Sequence, residues 1–210
     1  MIRLITDTSA NLPVSLIQKY NITVLSFHLT VDGVPFPYNY KTDFDGKSYY
    51  DKMRGGARVQ TSMINQSDYG DAFTDAVANG DDVLYVGMSG GISGAARIAQ
   101  IAANEVLADY PDRQIEVIDT YAASLGEGLQ VLAAAEMLAS GMSLSEAADK
   151  LRADRAHMCQ YFTVRICSAA DAFRVPRRLW GRFCRSSRCL SGMRRGTLWF
   201  RTRYAGASSL

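Results

Sequence analysis

The 210-residue sequence has no apolar run of about eighteen residues, the length a helix needs to span a bilayer. Its opening, MIRLITDTSANLP, holds one Arg and no long apolar stretch before Asp7. It is therefore not read as a secretory signal, and the chain reads as cytoplasmic, without integral membrane association. Proline is scarce, with five residues, and the only histidines are His28 and His157. Cysteine is scarce too, and three of the four (Cys167, Cys184, Cys189) lie beyond residue 164. A disulfide framework is not expected in the cytosol. Cys184 and Cys189 are spaced C-x₄-C with no second ligand pair at zinc spacing, so no metal is expected.

Acidic residues are nearly absent from one part of the chain. Residues 165–210 carry 11 Arg, no Lys and a single acid, Asp171, whereas residues 1–164 carry 12 Lys+Arg against 20 Asp+Glu. The overall net charge of +2 conceals this contrast. Both tryptophans, Trp180 and Trp199, also fall in the tail. A coherent domain seldom changes composition so abruptly. An Arg-rich arm with interleaved Trp and Phe is one way to bind nucleic acid. Here no recognised motif or amphipathic period accompanies the charge, so no nucleic-acid partner is assigned.

What is present before residue 165 is an ordinary globular composition with alternating strand and helix signals. Ile2–Thr6 is a β-prone run ending at Asp7. Ser9 or Asn11 can cap a helix opened by Pro13, with Leu16, Ile17 and Tyr20 inward. Ile22–Val31 reads as one strand followed by an Asp32-Gly33 turn, and residues 33–58 as a surface excursion. Ser67 is expected to cap a helix burying Tyr69, Phe73, Ala76 and Val77, stopped at Asn79-Gly80. Val83–Val86 is a buried strand, and the helix after it turns Ile98, Ile101, Ala102 and Val106 inward. Ile115–Ile118 is a further strand. Leu125, Leu129, Leu132 and Leu138 pattern a long helix closed by Gly141, and Ser143 with Glu146 forms a capping box for a last one. Tyr161–Val164 begins another strand. Alternation of this kind predicts an α/β fold with a mostly parallel sheet flanked by helices. Ligands in such sheets sit beyond the carboxyl ends of the strands. That edge gathers Asp7-Thr8-Ser9, the 87–94 loop and Asp119-Thr120, although Asp7 and Asp119 are expected as turn and cap residues. His28 is expected as a satisfied core residue.

The 87–94 loop, GMSGGISG, joins a strand to a helix with four glycines, and its small residues and free N–H groups suit an anion. Ser89 and Ser93 add hydroxyls, although serines there also serve simply as caps. Gly87-Met88-Ser89-Gly90-Gly91 also fits G-x-S-x-G, the nucleophile elbow of α/β-hydrolases. On that alternative Ser89 is the nucleophile and His157 its downstream base, with Asp119 to orient it. A dinucleotide fingerprint fits less well, because the glycines are spaced G-x-x-G-G-x-x-G and Glu105 lies within the helix.

Four segments in order carry a family resemblance: ITDTSANLP at 5–13, VQTS at 59–62, SGGISG at 89–94 and VIDTYAASLG at 117–126. Together they resemble the DegV family of fatty-acid-binding proteins, with TSMINQ at 61–66 where many members carry TSQP. The resemblance implies a two-domain α/β protein that holds one long-chain fatty acid, such as palmitate, without catalysis and without a cofactor. It implies that Thr61 and Ser93 hold the carboxylate, with Ser62 and Ser89 as neighbours. It further implies a partner fatty acid kinase that phosphorylates the bound lipid for phospholipid synthesis. Burying a palmitoyl-length tail gains about 0.8 kcal/mol per CH₂, on the order of 10 kcal/mol before ordering costs. A buried carboxylate must then be neutralised or fully hydrogen-bonded, which hydroxyls and helix-terminal N–H groups can accomplish.

Beyond Val164 the family pattern stops. Taking the third base of each codon from Arg165 with the first two of the next, RICSAADAFRVPRRLWGRFCRSSRCL can encode DLQRGGRVSGAAALVGAVLQIKPVL. The second reading holds the family's RGGRVS-like loop, small-residue helix and I-K-P-x-L strand in order. The expectation is therefore a DegV-like α/β region at 1–164 and, at 165–210, an out-of-frame remnant of a second, smaller α/β domain. Coding DNA incompatible with the shifted codons would end that reading.

Overall fold

The computed structural model describes residues 1–36, 44–158, 160–165, 190–194 and 197–201, with side chains through residue 158 and at 160. The shifted-frame reading of the tail spans Arg165 to Leu190, of which residues 166–189 lie outside the described residues. So do the side chains of all four cysteines.

Four strands form the central parallel sheet: β1 (Ile2–Asp7), β2 (Thr23–Leu25), β6 (Asp82–Gly87) and β7 (Ile115–Asp119), in the order β2-β1-β6-β7. Ile2 to Ile5 of β1 run beside Asp82 to Tyr85 of β6, and Val83 to Gly87 pair with Ile115 to Asp119. Parallel strands covered on both faces must be apolar on both faces, and Val83, Leu84, Tyr85 and Val86 are all fully buried. One face carries a cluster of Leu4, Leu84, Val86 and Ile118 against Val131, Ala134, Ala147 and Leu151. The other packs Ile5, Val83 and Tyr85 against Tyr69, Phe73, Ala99 and Ala103. The α/β class and the mostly parallel sheet flanked by helices are those expected.

The helices are α1 (Val14–Lys19), α2 (Gly46–Arg54), α3 (Gln66–Ala78), α4 (Ala95–Asp109), α5 (Leu125–Ala139) and α6 (Leu144–Asp154). Several local expectations change. The first turn after β1 is a short 3₁₀ turn, Thr8–Ala10, capped by Asp7 and closed by the left-handed Asn11, and α1 starts after Pro13, so neither Ser9 nor Asn11 caps it. The cap of α3 is Asn65, not Ser67, with the Asn65 N–H donating to Asp68. Ser143 and Glu146 do form their capping box. On α4 the buried stripe is alanine-rich, and Ile101 is exposed.

Helix α5 forms where the leucine pattern places it and ends before Gly141, but two of its four leucines lie outside. Leu125 and Leu129 are 71% and 58% exposed, and the buried side carries Gly126, Glu127, Gly128, Gln130, Val131, Ala134 and Ala135. Small residues let this helix pack closely, so Leu125 and Leu129 face outward while Leu132 and Leu138 remain half-buried against the core.

The long run Ile22–Val31 divides. After β2 the chain leaves the parallel sheet, with the Phe27 N–H donating to Thr8 Oγ1, and β3 (His28–Val31) joins a second sheet. There it lies antiparallel between β4 (Val34–Pro35) and β5 (Val59–Ser62). His28 is consequently exposed and lies 3.6 Å from Asp68, not satisfied in the core. A third antiparallel sheet pairs β8 (Tyr161–Arg165), β10 (Thr197–Arg201) and β9 (Leu190–Arg194) in that order. Among the described residues no helix is long and apolar enough to cross a membrane.

Candidate functional site

The carboxyl ends of β1, β6 and β7 form one edge, and its loops are laced together by hydrogen bonds. Thr120 donates through both N–H and hydroxyl to the Gly87 carbonyl, at 3.2 and 2.8 Å. The Ser89 N–H donates to the Ala122 carbonyl at 2.8 Å. Asp119 accepts the Tyr121 N–H and caps its turn, as expected. The grouping of Asp7–Ser9, the 87–94 loop and Asp119-Thr120 at one edge is the arrangement anticipated from the strand order.

Ser89 and Ser93 occupy different environments within the loop. Ser89 is 3% exposed; its hydroxyl accepts the Gly91 N–H and its carbonyl accepts from Ile92 and Ser93. Ser93 is half-buried at the mouth of α4, where its hydroxyl accepts the Ala95 N–H at 3.2 Å. Each hydroxyl therefore still has its own proton to donate. A nucleophile elbow instead holds its serine exposed at the tip of a strained turn. Ser89 is buried and is absent from the residues with positive φ, while His157 is exposed in the 3₁₀ turn Arg155–His157.

Thr61 and Ser62 lie at the end of β5, exposed, opposite Leu29 and His28 of β3. The chain then turns inward, and Ile64 is buried with Ile5, Tyr69 and Tyr85. Met63, between them, is the bridge to the serine loop. A methyl group placed on Gly94 would sit 3.2 Å from Met63 Sδ, so the Met63 side chain lies directly against this glycine, beside Ser93. The two loops that supply the expected hydroxyls thus touch through Met63 and Gly94. Met63 is itself 45% exposed, and Ile92 of the other loop is exposed as well. A rim of hydroxyls with exposed apolar side chains beside it suits a ligand with a polar head and an apolar body.

Behind this rim lies a buried polar cluster that the sequence pattern did not reveal. Asp7 is 1% exposed and accepts from the Ser9 N–H at 2.8 Å, the Ser9 hydroxyl and the Tyr85 hydroxyl at 2.8 Å. Tyr69 and Tyr85 share a hydroxyl contact of 3.1 Å. The Ser9 hydroxyl also lies 2.7 Å from Glu127 Oε2. Burial raises the Asp7 carboxyl, against the opposing effect of its donors. Burial, together with the nearby Asp7 charge, raises Glu127 to about 9. Only the acidic first turn of α5 could have pointed to Glu127, and that signal is equally what a solvated helix start produces.

A family model described as uncharacterised protein, DegV family, matches residues 1–167. A DegV domain-containing protein from Clostridium perfringens is 35% identical over 159 residues, covering 76% of this chain and 55% of the relative. Another, from Lactococcus lactis, is 32% identical over 149 residues, covering 71% and 52%. The chain thus spans about half the length of the curated relatives it matches. Among solved structures, a fatty-acid-binding DegV family protein from Thermus thermophilus superposes with a TM-score of 0.64 at 30% identity, over 77% of this chain and 55% of that one. A stearic-acid-binding protein from Eubacterium ventriosum gives 0.70 at 26% identity, over 82% and 62%.

Proposed function

The chain belongs to the DegV family, and from that premise we propose that it binds one long-chain fatty acid non-covalently and presents it to a fatty acid kinase. The observation that carries this reading is the likeness to the fatty-acid-binding protein from Thermus thermophilus at 30% identity. The edge described above supports it. Thr61 and Ser93 are the carboxylate donors in this proposal, with Ser62 and Ser89 beside them, and Met63 and Ile92 flank the start of the acyl chain. Hydroxyl protons at Ser89 and Ser93 are not consumed as donors by the backbone N–H groups they accept, so each can be offered to an anion. The kinase step rests on family resemblance alone.

Native mass spectrometry of the 210-residue chain purified from bacterial cytosol tests the binding. The expected result is an adduct with the mass of a long-chain fatty acid, reduced at least tenfold in occupancy in Thr61→Ala and Ser93→Ala. A folded wild-type chain that stays empty after palmitate is added would overturn the proposal for this chain.

A further inference from the structure

A serine hydroxyl has one proton to give, and the Ser9 hydroxyl lies within hydrogen-bonding distance of two carboxyl groups, on Asp7 and on Glu127. Two ionised carboxylates cannot both be satisfied by that single donor. One of the carboxyl groups must hold a proton and donate to Ser9 while Ser9 donates to the other. The surroundings decide which. Asp7 already accepts from the Ser9 N–H, the Tyr85 hydroxyl and the Met88 backbone, the setting of an ionised carboxylate. Glu127 is 0% exposed, its Oε1 has no partner among the described residues, and the Ser9 hydroxyl is the contact of its Oε2. An ionised group so placed would be stranded.

We infer that Glu127 is held as a neutral carboxylic acid, sharing one proton with Asp7 through the Ser9 hydroxyl, and that this proton ties the Thr8–Ala10 turn to α5. The site is a proton-binding one, independent of the lipid reading. Its chain runs from the Glu127 O–H to the Ser9 oxygen, and from the Ser9 O–H to Asp7. On the far side of Asp7, the Tyr69 hydroxyl donates to Tyr85 and Tyr85 donates to Asp7.

Among the described residues, the groups that face Glu127 are few. From β1 comes Asp7, to which Tyr85 of β6 is hydrogen-bonded, and from α3 comes Tyr69. From the 3₁₀ turn comes Ser9. Helix α6 turns Leu144, Ala147, Ala148 and Leu151 inward and pairs its charges outside, Lys150 with Asp154 and Arg152 with Glu116. No cation is among these facing groups to hold a second negative charge. A carboxyl raised in the folded state keeps its stabilising effect below the ordinary carboxyl range and loses it as pH rises toward about 9, because the unfolded chain releases the proton first.

Glu127→Gln is the test, since its amide N–H can donate to Ser9 as the acid does. Between about pH 5 and pH 8, the unfolding constant of the wild-type chain from urea melts should grow up to about tenfold more per pH unit than that of E127Q. Infrared spectra at neutral pH should show a protonated-carboxyl band in the wild type that E127Q lacks. Parallel pH profiles would show Glu127 ionised in the native chain and overturn the inference. Should E127Q fail to fold, the wild-type band decides alone: present at neutral pH and lost above about pH 9, it supports the inference, and absent, it overturns it.

Discussion

The two sheets on either side of the proposed ligand rim are built to opposite standards. In the parallel sheet every β6 residue from Val83 to Gly87 is buried, and helices cover both faces. In the sheet of β4, β3 and β5, no residue is fully buried: β3 is half-buried at Leu29, Thr30 and Val31, β4 is exposed, and Val34 is 65% exposed. The hydroxyls assigned to the ligand are divided between them, with Ser89 and Ser93 on the rigid sheet and Thr61 and Ser62 on the thin one. The difference separates two jobs. One sheet fixes the position of the loop that follows it, and the other offers side chains whose burial waits on something else.

The largest effect should come from tightening the rigid sheet where it has no slack. A methyl group at Gly87 would fall 2.4–2.6 Å from the Tyr85 ring and hydroxyl. That ring is fully buried, packs against Tyr69 and Phe73, and is hydrogen-bonded to Asp7, so it cannot swing aside. Gly87→Ala should therefore cost about 3 kcal/mol or more, or prevent folding, as read from urea melts. A loss under about 1 kcal/mol would mean that this sheet is less constrained than its burial implies.

Truncation in the thin sheet should cost less. Leu29 is half-buried, opposite Thr61 in the pairing with β5. Leu29→Ala should lose about 1 kcal/mol, below the 2–5 kcal/mol of a fully buried leucine such as Leu84. Equal losses for Leu29→Ala and Leu84→Ala would erase the contrast between the sheets.

This contrast also explains which parts of the fold were legible in the amino-acid order. Strands β1, β6 and β7 are buried on both faces, and continuous apolar runs such as VLYV announce them. The edge that gathers Asp7, the serine loop and Asp119 followed from the alternation of strand and helix. The break between β2 and β3 was not legible. Residues 22–31 are β-prone throughout, and only the tertiary bond from Phe27 to Thr8 Oγ1 marks the change of sheet. On α5 the leucine spacing suggested a buried face because leucine usually outweighs glycine and alanine in burial. Here the close approach of the helix reverses that order, leaving Leu125 and Leu129 outside and bringing Glu127 in. The pairing of Glu127 with Ser9, 118 positions away in sequence, has no local signature.

The smallest expected stability change, at Thr61, is the sharpest test of the division of labour. Thr61 is exposed on β5, and alanine there removes a hydroxyl without opening a cavity. Thr61→Ala should change stability by less than about 0.5 kcal/mol in urea melts. If the thin sheet supplies a ligand donor, the same variant should release bound fatty acid while melting like the wild type. Ser93→Ala offers the matched comparison from the rigid sheet, because its hydroxyl accepts the Ala95 N–H at the start of α4. Losing that hydrogen bond should lower stability by about 1 kcal/mol as well as weakening the ligand. Two variants with equal loss of lipid but unequal loss of stability would place the ligand across both sheets, one held by its own packing and the other by what it binds.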